Sequence, residues 1–369
     1  MVSDESVPAS TEDDPSAVRL IGWLADAVTV AASDVHLVAG HPPVLRVHGE
    51  LRPLDELVLD QHELARLLKA ICPEKIFKQF QRDQDADFSI ERRVDGQLHR
   101  FRVNYFFSDQ QPGACFRLVP NTIPDFEWSG FPRDIAERMA HFRNGLVLLT
   151  GVTGSGKTTT LAMLVNLLNR EGNHRIITIE EPVEYRYPRQ TGSVITQREV
   201  GLDVRSFAEG LKYGLRQDPD VILVGEIRDR ETARMAMTAA ETGHLVFSTL
   251  HTRDAKGAIS RYADLFPQNV QTEIRAQLAA SLRAVVSQHL LPNAVPREKR
   301  ELALEIMFNN MPISSAIRIG KLQSIDNYIL TGRDEGMRTL DDSVKELLHA
   351  GRITKKTAAR FVSDPSSLF

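Results

Sequence analysis

The segment Gly151-Val152-Thr153-Gly154-Ser155-Gly156-Lys157-Thr158 constrains this chain more tightly than any other feature. It matches the phosphate-loop pattern G-x-x-x-x-G-K-[ST]. An apolar run, Leu146 to Thr150, precedes it, and a run of helical character, Thr159 to Asn169, follows it. A strand, a glycine-rich turn and a helix in that order demand an α/β core. The glycines let successive backbone N–H groups turn inward around phosphate oxygens, and the helix start adds its dipole. Gly151, Thr153, Gly154, Ser155, Gly156, Lys157, Thr158 and Thr159 are therefore the candidate residues for binding a nucleoside triphosphate. Lys157 offers a point charge to the β- and γ-phosphates, and the Thr158 hydroxyl is a candidate Mg²⁺ ligand.

The rest of such a site needs carboxylates at the ends of neighbouring strands. After residue 140, short apolar runs recur at Leu146 to Thr150, Ile176 to Ile179, Val221 to Val224 and Leu245 to Thr249, separated by helical segments. That alternation predicts a largely parallel sheet, and open α/β sheets bind ligands at the C-terminal edge of their strands. Glu226 emerges there, after Val221-Ile222-Leu223-Val224-Gly225. It is the candidate for holding Mg²⁺ through water, since Mg²⁺ keeps several of its waters. Glu180-Glu181-Pro182-Val183-Glu184 follows another strand, and a carboxylate in it can orient or deprotonate an attacking water. Spacing alone equally allows a solvated acidic turn. His244 and His251 bracket a fourth strand, and each also fits an ordinary core histidine.

A chain of 369 residues has room for two or three domains. Residues 1–16 read as a disordered leader, rich in Ser, Pro, Asp and Glu. Residues 17–120 read as a small α+β domain: a helix over Arg19 to Val30, strands at Asp34 to Leu37 and Val44 to Val47, and a helix over Gln61 to Cys72. Paired strands follow at Phe101 to Phe107 and Ala114 to Val119, with Pro112-Gly113 as the turn between them. Residues 121–139 read as a linker, 140–292 as the nucleotide-binding domain and 293–369 as a mostly helical region. With two cysteines, Cys72 and Cys115, a four-cysteine zinc site is excluded. The net charge of −4 removes the simplest argument for nucleic-acid binding. No apolar run reaches the roughly 18 residues of a membrane span, and the acidic N-terminus lacks the pattern of a signal peptide. The expectation is a cytoplasmic protein without direct membrane insertion.

Four blocks, GVTGSGKTTT, ITIEEPVEY, LRQDPDVILVGEIRD and AAETGHLVFSTLHT, resemble in order and spacing the secretion ATPases of the type II/type IV pilus superfamily. They correspond to its Walker A, Asp box, Walker B and His box. ASDVHLVAGHPPVLRVHGEL, RFRVN and GMRTLDDSV match as well, so the resemblance runs from about residue 17 to 350. It implies a homohexamer of subunits with a PAS-like N-terminal domain and a RecA-like ATPase domain, with ATP and Mg²⁺ near subunit and domain interfaces. It also implies roles: Lys157 and Thr158 on phosphate and Mg²⁺, Glu184 as general base, Glu226 as the Walker B glutamate, and His251 as the His-box histidine linking nucleotide state to domain position. Arg102 and Arg117 match N-terminal arginines that contact phosphate, and planar guanidinium forks suit that task. Arg228 reads as structural.

Within the superfamily the chain resembles the pilus retraction motors. The assembly motors usually carry a tetracysteine zinc element and a long N-terminal extension, whereas here only about 150 residues precede the phosphate loop. The implied partners are an inner-membrane pilus platform protein at the cytoplasmic face of the membrane and a second retraction ATPase. Nucleic acid is not expected. Alternatives with the same chemistry are a pilus-assembly or type II secretion ATPase and an accessory retraction motor of low intrinsic turnover. Departures from the pattern are Glu181 where Asp is usual, Val152 for a common Pro, and Thr158 for Ser. A shortened element retains Ala316-Ile317-Arg318, and Arg283 to Gln288 resembles the accessory type.

Overall fold

The computed structural model describes residues 14–47, 50–119, 122–295 and 299–368. The chain divides into two units, Met1–Thr122 and Ile123–Phe369. The expected leader lies outside the described residues as far as residue 13. Its last two residues, Pro15 and Ser16, already belong to a helix, α1 (Pro15–Thr29). Asp14 caps that helix by accepting from the Ser16 N–H at 2.8 Å, and Pro15 fills a first-turn position that needs no donor.

The first unit adds α2 (Gln61–Ile71), capped by Asp60, and α3 (Glu74–Asp83). Its sheet has the strands β1 (Asp34–Val38), β2 (Val44–Val47), β3 (Glu50–Pro53), β4 (Asp85–Val94), β5 (Gln97–Ser108) and β6 (Gln111–Val119). They lie in the order β3-β2-β1-β6-β5-β4, antiparallel throughout. Alternation along the strands divides the faces. Val35, Leu37, Phe101, Val103, Tyr105 and Phe116 enter one core with Leu20 and Leu24 of α1 and Leu64, Leu67 and Leu68 of α2. The Tyr105 hydroxyl, buried with its ring, donates to the Leu68 carbonyl at 3.0 Å. This is the expected α+β arrangement.

The turn between β5 and β6 corrects the sequence reading. It is formed by Asp109 and Gln110, both at positive φ (51° and 60°), the requirement of a two-residue hairpin turn. Pro112 and Gly113 lie inside β6, opposite Phe107 and Phe106. A Cβ on Gly113 would come within 2.5 Å of the Phe106 ring, so glycine there serves close packing rather than a turn.

The second unit is built on β7 (Gly145–Thr150), β8 (Arg175–Glu180), β9 (Val194–Glu199), β10 (Val221–Val224), β11 (Leu245–Leu250), β12 (Leu282–Leu291) and β13 (Glu301–Phe308). Their order is β13-β12-β7-β11-β10-β8-β9, parallel except for the β12–β13 hairpin. Every residue of β7, β10 and β11 is buried, as a parallel sheet covered on both faces requires. This is the α/β core the phosphate-loop pattern called for.

Two expected boundaries differ. The stretch 121–139, which reads as a linker, contains α4 (Phe126–Ser129) and most of α5 (Arg133–Ala140). Phe131, Ile135, Ala136 and Met139 from it enter the second unit's core; the proline-rich composition marks helix starts here, not an extended tether. The expected end at residue 292 falls inside a hairpin, because β13 pairs with β12 from Ala284↔Phe308 to Leu291↔Glu301. Beyond β13 the chain is helical, as expected.

Candidate active site

Parallel register brings the ends of four strands to one sheet edge. Thr150 of β7 pairs with Leu250 of β11, and Val224 of β10 pairs with Ser248 of β11 and Ile179 of β8. The segments that follow them, beginning at Gly151, His251, Gly225 and Glu181, therefore emerge side by side. His244 precedes β11, at the opposite edge, with its Nδ1 2.9 Å from the Ala239 carbonyl oxygen. Of the two histidines, His251 alone is at the site.

The phosphate loop runs from β7 into α6 (Lys157–Glu171). Gly151 sits at φ 142°, where a Cβ would come within 2.5 Å of both the Gln288 carbonyl oxygen and the Ser155 hydroxyl. No side chain fits there. The buried Lys157 ammonium donates to the Gly151 and Val152 carbonyls at 2.8 and 3.1 Å, arching over the loop. Burial lowers its pKa, and the charges of Glu226 and Glu184 oppose that shift. Both carboxylates thus act electrostatically on the lysine. Thr159 Oγ1 lies 3.0 Å from the Tyr185 hydroxyl, linking the helix start to the acidic segment.

Glu226, nearly buried, stands between two partners. One oxygen lies 3.0 Å from His251 Nε2, and the other is paired with Arg228. Arg228 also donates to Glu181 at 3.0 Å. The residue read as structural therefore ties the acidic segments after β10 and β8 together. Behind them Glu180 is buried, and burial pushes its carboxyl up to about 7. Hydrogen bonds from Thr178 (2.5 Å) and Gln197 (3.3 Å) act against burial, while the charges of Glu184 and Glu199 reinforce it.

Side chains the sequence did not flag hold this edge in place. Gln197 of β9 donates to the Tyr185 carbonyl at 2.7 Å, and its own oxygen accepts from the Tyr187 N–H at 3.2 Å. Glu199 accepts from the Val183 N–H at 3.1 Å. The signal for them was the in-register pairing of β8 with β9, which sets Glu199 opposite Glu180. Thr150 and Thr252 lock the first and last of these segments: the Thr252 N–H donates to Thr150 Oγ1 at 2.9 Å.

Arg102 and Arg117 belong to the first unit. They are opposite one another on β5 and β6, and Asp34 of β1 is the next residue in the same row. Arg117 Nε donates to the buried Asp34 carboxylate at 2.8 Å.

Among the described residues no group of three or more His, Cys, Asp or Glu is arranged to hold a metal ion. A divalent ion at this edge would rely on one or two protein oxygens and on phosphate, the way Mg²⁺ is commonly held. Thr158 and Glu226, oxygen donors beside the loop, fit that requirement.

A parallel sheet whose first described strand leads through a glycine cradle and a lysine into a helix, with a glutamate ending a neighbouring strand, defines a phosphate-loop nucleotide-binding protein. Residues 10–342 match the family model described as type II/IV secretion system protein, and the chain belongs to that family. It is 41% identical over 344 residues to the type IV pilus retraction ATPase PilT of Pseudomonas aeruginosa, covering 93% of this chain and 98% of the relative. It is 33% identical over 341 residues to the type IV pilus ATPase PilU of the same organism, covering 92% and 88%. The crystal structure of the pilus retraction motor PilT with bound ADP matches with a TM-score of 0.85 at 38% identity, covering 94% of this chain and 98% of that one.

Proposed function

We propose that this chain is an ATPase that powers type IV pilus retraction. One observation carries the chemistry: Lys157, Glu226, His251 and the Glu180–Glu184 segment emerge from neighbouring strand ends at one edge. The pilus role is supported by the identity to PilT over almost the whole length of both chains.

In this reading the N–H groups of the loop and of the first turn of α6 grip the phosphates. Lys157 exchanges its carbonyl partners for phosphate oxygens. Glu184 takes the proton of the attacking water as the water oxygen adds to the γ-phosphorus and the bond from that phosphorus to the β–γ bridging oxygen breaks, leaving ADP and inorganic phosphate. Glu226 and Thr158 would hold Mg²⁺, which when bound neutralises developing charge on the phosphate oxygens. His251, in contact with Glu226, reports the state of that carboxylate. Arg102 and Arg117 are proposed phosphate partners in the assembled homohexamer. The expected partners are a membrane platform protein and a second retraction ATPase. Among the described residues no helix is long and apolar enough to cross a membrane, so force on the pilus would be passed through such a platform at the cytoplasmic face.

An accessory retraction ATPase is the second reading, favoured by the likeness to PilU but at lower identity. Steady-state ATP hydrolysis by the purified protein tests the enzymatic claim: negligible turnover in the isolated assembly favours the accessory role. The pilus phenotype of a deletion strain tests the direction. Excess static pili are expected; loss of pili would mean an assembly motor.

A further inference from the structure

Gln288 is an anomaly in β12. The strand enters the core through Leu282, Ala284, Val285 and Val286, and then places a primary amide where nothing is exposed. An apolar side chain of the same length would fit such a strand without any polar group to satisfy. The amide is only partly satisfied. Its Nε2 donates to Thr160 Oγ1 at 2.8 Å, in a buried contact, while its Oε1 has no hydrogen-bond partner among the described residues. An orphaned buried acceptor is destabilising because it has lost its water without gaining a partner, so the residue is not optimal for packing.

Its position explains what it does. Ser287 pairs with Thr150, which sets Gln288 alongside the start of the phosphate loop. Its main-chain carbonyl closes on Gly151, the position where no Cβ fits. Its side chain reaches Thr160, whose own N–H closes the first turn of α6 on the Gly156 carbonyl at 3.0 Å. One residue thus touches the loop where it leaves β7 and where it has become helix. In between, the N–H groups of the first turn of α6 have no intrahelical partners and are available to phosphate, while the Ser155 N–H donates to the Val152 carbonyl at 3.2 Å. Ser155, in the middle of the loop, is also buried, and its hydroxyl has no partner among the described residues. The ideal Cβ position of Gly151 is 2.5 Å from both the Ser155 hydroxyl and the Gln288 carbonyl oxygen, so those two atoms are at most 5 Å apart.

We propose that Gln288 is a positioning residue for ATP: its carbonyl and amide fix the two ends of the phosphate loop relative to each other, holding the loop in the shape that binds phosphate. The proposal rests on the ATPase reading and deepens it. Small displacements of binding groups are costly because phosphate contacts depend on alignment.

The test is a double-mutant cycle on the full-length protein. Gln288→Leu and Thr160→Val should each raise the KM for ATP about tenfold, with kcat changed less than threefold. The double variant should be no worse than the poorer single one. Thr160→Ser, which keeps the hydroxyl, should stay within about twofold of wild type. Melting curves of the nucleotide-free proteins are recorded alongside. A lowered melting temperature with an unchanged KM in both single variants would overturn the proposal, because Gln288 would then only support the core. Effects that multiply in the double variant would overturn it as well. Should Gln288→Leu fail to fold, the pair Thr160→Val and Thr160→Ser decides, and equal KM values for the two reject the role. Absence of turnover in the wild-type protein would instead defeat the ATPase reading, a distinct result.

Discussion

Strand ends carry the candidate chemistry in the second unit, whereas a row of residues across the strands carries charge in the first. In the parallel sheet, β7, β10 and β11 are buried along their whole lengths. Their only polar side chains are hydroxyls, those of Thr150, Ser248 and Thr249, and charged side chains collect where the chain leaves the sheet. In the antiparallel sheet one face is core and the other more polar, so Asp34 at the start of β1, Arg117 near the end of β6 and Arg102 inside β5 form a cross-strand row. Two like charges directly opposite each other are unfavourable; the buried Asp34 carboxylate offsets this on one side by accepting from Arg117. A parallel edge gathers acids beside a loop, while an antiparallel face spreads cations over a plane.

The largest effect should come from the edge. Lys157→Ala removes the one ammonium that bridges the loop, and ATP turnover should fall by about 100-fold or more. Turnover within threefold of wild type would break the edge half of the comparison.

The face should give smaller and divided effects. Arg102→Ala and Arg117→Ala are each expected to lower turnover about tenfold, the size of one charge-assisted hydrogen bond. They should separate in a melting experiment. Arg117→Ala strips a partner from a buried carboxylate and should lower the melting temperature by a few degrees; Arg102→Ala should leave it unchanged. Identical melting curves would show that Asp34 does not depend on Arg117.

The smallest effect distinguishes Glu180 from its neighbours through pH. Burial raises its carboxyl from the ordinary 4.5 to about 7. A carboxyl raised in the folded state contributes stability that is complete below the unfolded value and is lost as pH rises through about 7. Glu180→Gln, which cannot ionise, should therefore melt a few degrees higher than wild type at pH 8 and within about one degree of it at pH 5. Glu305 is raised to about 7 in the same direction, chiefly by burial, so the variant should retain part of the wild-type slope. An unchanged difference between the two proteins from pH 5 to pH 8 would remove Glu180 from this role.

The same contrast explains what the sequence made legible. A fully buried parallel strand is a continuous apolar run, and a charged residue close after it is conspicuous; Glu226 was found that way, and Lys157 by the glycine-rich pattern that follows such a run. Arg102 and Arg117 lie within alternating strands, where nothing in the pattern separates them from solvated residues, and family resemblance alone singled them out. Gln197 and Glu199 were missed because β9 follows β8 only after a long irregular stretch, and their contacts exist only once the two strands are in register. β13 was missed because Leu302, Ala303, Leu304, Ile306 and Met307 also satisfy helical spacing. Pro112-Gly113 looked like a turn, yet the glycine answers to the Phe106 ring. Arg228 was legible as a residue but not as a tie, since its two carboxylate partners, Glu181 and Glu226, come from different strands.

Central to the account is that Glu184 draws the proton from the attacking water at the edge built around Lys157 and Glu226. The most direct measurement pairs single-turnover hydrolysis of ATP with equilibrium nucleotide binding for Glu184→Gln. The expected result is an affinity within about threefold of wild type and a hydrolysis rate lower by about 100-fold or more. Hydrolysis at the wild-type rate by that variant would contradict the account.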